Sequence, residues 1–107
     1  MQIIIKRKID ENVKNDWKFL EKNNNFLIFQ TLIWHLSWLG VNDKNKDILI
    51  ATVYENEKPV MIFPFCIVKS LNIKILKWIG YDNSDYLGPI VDSKYKIENF
   101  YFKKIWN

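Results

Sequence analysis

Ile48-Leu49-Ile50-Ala51-Thr52-Val53-Tyr54-Glu55-Asn56-Glu57-Lys58-Pro59-Val60-Met61-Ile62-Phe63-Pro64-Phe65-Cys66-Ile67-Val68 is the stretch that decides the fold. Two apolar runs, Ile48 to Tyr54 and Pro59 to Val68, flank four polar residues, the pattern of a β-hairpin. The turn Glu55-Asn56-Glu57-Lys58 lacks the Asn-Gly pair that marks the tightest hairpins. Pro64 has no N–H to give to a strand ladder, which predicts a bulge or an edge position there.

Outward from the hairpin, Ile3-Ile4-Ile5 is short and β-branched and reads as a first strand. Asp10 can cap a helix through Asn23, with Val13, Trp17 and Leu20 in one apolar stripe. Asn23-Asn24-Asn25 ends it, because asparagine side chains compete for backbone hydrogen bonds. Thr31 caps a second helix through Leu39, and Gly40 suits the position just past its end. Asn42 to Asp47 is a polar loop. On the far side, Ile73 to Ile79 reads as a strand turning at Gly80. Asp82 to Asp85 is a loop and Gly88-Pro89 a turn. Ser93 to Trp106 reads as a final helix with Ile97, Tyr101 and Ile105 on one face. The predicted order β-α-α-β-β-β-α is an α/β (α+β) arrangement in one domain, residues 1–107, with a mainly antiparallel sheet flanked by helices.

The second helix carries two apolar stripes, Leu32-Leu36-Leu39 and Trp34-Trp38-Val41. A two-residue step turns about 200°, so the stripes lie on nearly opposite sides. A helix apolar on both sides is normally covered on both sides, which predicts a sheet edge, a partner or a second module against the outer one.

Composition narrows the function classes. Of 107 residues, 49% are hydrophobic, which argues against disorder. The net charge of +4 comes from scattered lysines, and Arg7 is the sole arginine. Nucleic-acid readers favour clustered charge and the arginine fork, so no nucleic-acid partner is expected. The single cysteine, Cys66, excludes an internal disulfide and reads as a small buried hydrophobe. No run approaches the roughly 20 apolar residues of a membrane span. Met1-Gln2-Ile3-Ile4-Ile5-Lys6-Arg7-Lys8 reverses the charge order of a secretory signal, so the expected location is cytoplasmic.

Phe29 followed by Trp34 and Trp38, the hairpin ending in Phe63-Pro64-Phe65, and the loop from Gly80 to Ser84-Asp85-Tyr86 carry a resemblance. Together they look like the N-terminal module of the GNAT-type acyltransferases linked to cellulose and exopolysaccharide biosynthesis, relatives of the Fem-type aminoacyl transferases. The resemblance spans roughly Trp17 to Val91. It implies transfer of an acyl group from acyl-CoA to an amine or hydroxyl of a sugar-linked acceptor, by direct attack without a covalent enzyme intermediate. It also implies that a second module, absent from this sequence, holds the acyl-CoA. This chain shows no Gly-x-Gly cluster opening a helix, the device that binds the CoA pyrophosphate. The expectation is therefore no cofactor site here, a partner in the missing C-terminal module or in self-association, and little activity alone. The rival expectation is a non-catalytic interaction module, a split or truncated gene product that pairs with a separate chain.

Four residues are candidate substrate contacts. Asp85 and Tyr86, with Asp82, read as an acceptor-facing carboxylate and phenol or as ordinary turn chemistry. Trp34 and Trp38 read as an aromatic platform for a sugar or as packing. His35, the only histidine, has no carboxylate, serine or cysteine partner at helical spacing, and reads as a solvated or hydrogen-bonded structural histidine rather than as a general base. One histidine and one cysteine fall short of a metal-ligand set.

Overall fold

The computed structural model, which describes residues 1–42, 47–81 and 87–95, centres on the hairpin. Strand β1 (Gln2–Lys6) precedes helix α1 (Glu11–Asn23), a 3-10 turn (Ile28–Gln30) and helix α2 (Leu32–Asn42). Strands β2 (Asp47–Glu55), β3 (Lys58–Ser70), β4 (Ile73–Trp78) and β5 (Ile90–Val91) follow. All pairings are antiparallel, in the order β1-β2-β3-β4, with β5 also on β3. The fold is α+β with two described helices. The predicted final helix falls mostly outside the described residues. At its expected start, Ser93 lies in a turn closed by the Tyr95 N–H donating to the Asp92 carbonyl.

Both hairpin turns need left-handed backbone. Asn56 and Glu57 have φ of 50° and 66°, and Leu71 and Asn72 have 50° and 68°. Two positive φ values in a two-residue loop match the right-handed twist of the strands. Glu57 and Leu71 hold a conformation that disfavours a Cβ.

Of the bulge or edge position expected at Pro64, the edge alternative is what the sheet shows. The Pro64 carbonyl accepts from the Ile79 N–H at 2.9 Å, so its nitrogen faces the same edge of β3. There the partner of β3 changes: β4 pairs with Phe65 to Ser70, and β5 with Met61 and Ile62. The missing donor thus sits where neither strand asks for one. The irregularity lies elsewhere. Val53 opposes Met61 while Tyr54 opposes Pro59, which leaves Val60 as the extra residue of a bulge. The Val60 carbonyl is taken by the Asp92 N–H at 2.8 Å.

Strand alternation divides the core in two. Ile50, Ile62 and Cys66 point to one face and meet Val13, Trp17 and Leu20 of α1 and Leu32 and Trp38 of α2. Ala51, Val53, Met61 and Phe63 form a second cluster on the other face, with Ile3, Phe65, Trp78 and Tyr95 against it. Cys66 is buried in the first cluster, as expected. Trp17 is fully buried, and its indole N–H donates to the Gln30 carbonyl at 2.9 Å. That bond ties α1 to the turn that launches α2.

Gly40 does not end α2; it lies inside the helix, with nothing within 4 Å of a Cβ built on it. The buried line of α2 is Leu32-His35-Trp38, with Leu39 half-buried beside it, while Ile33, Leu36 and Val41 face outward. The two predicted stripes therefore mix inner and outer residues.

Candidate functional site

The most chemically distinctive site lies where β1, α1 and β2 meet. Its cleft is lined by Ile4, Lys6, Asn12, Val13, Asn15, Asp16, Thr52 and Tyr54 and has a volume of about 280 Å³. Asp10 makes it possible. Its carboxylate accepts from the Val13 N–H at 2.9 Å and caps α1. That bond, then Lys6 at 3.0 Å, holds the Asp10 carboxyl below its usual range. The cap sets the rotation of α1, so Val13 and Trp17 point into the core. Asp16, one step before Trp17, turns about 100° away toward the sheet.

Tyr54 meets it there. β2 places Ile50, Thr52 and Tyr54 on the helix-facing side by its period of two. The Tyr54 hydroxyl donates to the Asp16 carboxylate. Burial raises the Asp16 pKa, and the phenol's hydrogen bond works against that rise. Burial, then the Asp16 hydrogen bond and charge, push Tyr54 well above the ordinary phenol range. At neutral pH the phenol therefore stays protonated and donates. A carboxylate offers about four acceptor positions. Tyr54 takes one, and the others can receive ligand hydroxyl or ammonium protons from the cleft.

The sequence-predicted residues fare differently. Asp85, Tyr86 and Asp82 lie outside the described residues. Trp38 is 5% exposed, packed in the core and edge-on to Tyr81 at 5.6 Å, so it offers no face to a sugar. Trp34 is half-buried, edge-on to Phe29 at 5.4 Å and to His35 at 5.3 Å. Trp38 is thus packed in the core, and Trp34 is half-covered by aromatic neighbours.

His35 is 3% exposed. Its Nδ1 lies 2.7 Å from the Thr31 carbonyl, which only accepts, so the neutral ring carries its proton on Nδ1. Trp17 stacks at a tilt 4.6 Å away. Burial lowers the His35 pKa to about 4. It is a structural, hydrogen-bonded histidine, not a solvated one.

The described helix starts do not fit a CoA pyrophosphate. The α1 start is filled by the Asp10 carboxylate, which repels an anion. At the α2 start, the Thr31 hydroxyl accepts from the Trp34 N–H at 3.3 Å. Gly80, with φ of 89°, serves the turn after β4 rather than a helix start. Among the described residues no three His, Cys, Asp or Glu side chains gather to hold a metal ion. No described helix is long and apolar enough to cross a membrane.

Sequence reasoning missed Asp16 and Tyr54. Their signal was a carboxylate one position off the Val13-Trp17-Leu20 stripe and a phenol in register with Ile50. Compared with known proteins, the chain matches no family model, no curated protein and no solved structure.

Proposed function

We propose that this chain is the acceptor-side module of an acyl-CoA-dependent N- or O-acyltransferase acting on a sugar-linked or cell-envelope polysaccharide acceptor. In this reading it binds the acceptor, and a separate module supplies the acyl-CoA. The observation that carries the reading is the Asp16–Tyr54 pair opening on a cleft lined by Lys6, Asn12, Asn15 and Thr52. A carboxylate, a phenol, two amides and a hydroxyl form a donor and acceptor set suited to sugar hydroxyls and to an amine. The acyltransferase part rests on the motif resemblance between Trp17 and Val91.

The test is calorimetric titration with glucosamine and with acetyl-CoA, on the wild type, Asp16→Asn and Tyr54→Phe. Glucosamine should bind the wild type, and both substitutions should weaken it at least tenfold with folded-state spectra retained. Acetyl-CoA should give no saturable heat. Glucosamine binding untouched by both substitutions, or micromolar acetyl-CoA affinity, would overturn the proposal.

The rival reading, a non-catalytic module that pairs with another protein, draws on β4. This strand closes one edge of the sheet and exposes Ile73, Ile75 and Leu76. Light scattering across a concentration series tests whether this edge pairs with a second copy: a mass above that of one chain, reduced by Ile75→Lys, favours pairing through β4.

A further inference from the structure

Residues 23–42 contain no Asp, Glu, Lys or Arg in a chain that is 26% charged. Much of this run is not core. The outer side of α2 presents Ile33 at 72% exposure and Val41 at 84%, with Leu36 at 38%. Helical spacing places Ser37 and Gly40 between them, and both are exposed. The exposed apolar surface continues into Leu27 and Ile28, each 65% exposed, at the 3-10 turn that precedes α2. Polar side chains that would wet such a face are nearly absent from it.

Lysines border it. Lys14 and Lys18 of α1 line a groove with Leu32, Ile33, Leu36 and Glu21. Lys22 follows one turn on, and Lys14 lies 3.6 Å from Glu11. Three lysines against two glutamates leave this side of α1 with one net positive charge.

We propose that the outer face of α2 docks on an anionic lipid surface, with Ile33, Leu36 and Val41 entering the acyl boundary and Lys14, Lys18 and Lys22 facing the headgroups. Interfacial segments sink an apolar ridge to the acyl boundary and hold basic side chains at the headgroups; here the ridge is on α2 and the lysines on the adjacent α1. The alternative occupant, a second copy, fits less well. α2 is about 16 Å long, and the exposed apolar positions are few beside the roughly 20–30 residues a side of a stable interface. The patch also lacks exposed Trp, Tyr and Arg, the side chains that anchor protein interfaces. A bilayer sets no such minimum area and needs no matched pocket.

The experiment is co-sedimentation of the full chain with phosphatidylcholine vesicles, with and without phosphatidylglycerol, at low and high salt. The variants are Ile33→Ser with Val41→Ser, and Lys14→Gln with Lys18→Gln. Both pairs are surface changes, and circular dichroism checks that each variant is folded. The wild type should prefer phosphatidylglycerol vesicles by about fivefold, the equivalent of about 1 kcal/mol for one net charge at the surface. High salt should abolish that preference. The serine pair should lose binding to both vesicle types at least tenfold. The glutamine pair should keep residual binding and lose the preference. No sedimentation of folded wild type with phosphatidylglycerol vesicles would overturn the proposal. So would a serine pair that binds as the wild type does. A concentration-dependent dimer that the serine pair abolishes, without vesicle binding, would assign the face to a second copy instead.

Discussion

Mild acid should destabilise this protein in large part through one ring. His35 is the only histidine, and its surroundings hold its pKa at about 4 instead of 6.5. The cause is burial against Trp17 and Trp34, which disfavours the charged ring. Because the folded pKa is the lower one, the unfolded chain takes up the proton first. The stability contributed by neutral His35 is therefore complete above pH 6.5 and is lost as the pH falls toward 4. The whole gap corresponds to about 3 kcal/mol at 1.36 kcal/mol per unit. At about pH 5 the loss is roughly 2 kcal/mol by the same linkage, a large share of the 5–15 kcal/mol typical of a domain. The assay is urea unfolding at several pH values between about 5 and 7.5, on the wild type and His35→Gln. The wild type should lose about 2 kcal/mol more than the variant over that range. Asp16 acts with the opposite sign, since its raised pKa costs stability as the pH rises through it, but it is common to both proteins and cancels. The imidazole proton resonances give a second readout that needs no variant. A folded-state titration near pH 6.5, or an equal pH slope in both proteins, would refute the reasoning.

Three further outcomes follow from the packing and the turns. Glu57→Gly creates Asn-Gly at a site where Glu57 has φ of 66°; it should stabilise the protein by about 1 kcal/mol and raise the melting temperature by several degrees. Trp38→Ala should cost about 3–5 kcal/mol because its indole fills the space beside Tyr81, whereas half-buried Trp34→Ala should cost clearly less, both read by chemical denaturation. Asp10→Ala should lower the melting temperature by removing the N-cap, and below about pH 4 the difference from wild type should shrink, since a depressed carboxyl pKa gives stability present above the unfolded value and lost as the pH falls through the folded one.

Much of the framework was legible because local chemistry and tertiary packing agree. Asp10 caps α1 as read, Val13, Trp17 and Leu20 are all buried, and Asn23 and Asn24 end the helix by donating to the Phe19 and Leu20 carbonyls. The hairpin was readable from its two apolar runs although its turn lacks glycine. The buried line of α2 was not, because its middle member is a histidine, and an apolar count passes over a polar residue neutralised by burial. Gly40 misled because a glycine exposed in the last turn of a helix leaves no pattern different from one just past its end. β5 was invisible: two residues suffice there only because β3 is longer than β4 and leaves a length of edge to pair. Asp16 and Tyr54 stand thirty-eight positions apart, and only the rotation set by the Asp10 cap brings them together.

The change of partner opposite Pro64 gives the molecule a socket. β4 leaves β3 at Phe65 and β5 rejoins it at Ile62, so the chain departs and returns along one line with its ends about 10 Å apart. Trp78 and Ile90 are thus two fixed posts on β3. Extra residues inserted between Gly80 and Pro89 should cost entropy that grows only with the logarithm of their number. Binding chemistry installed there can diverge while the sheet behind it stays the same, which makes this the place to graft a new loop or to look first for differences among versions of this chain.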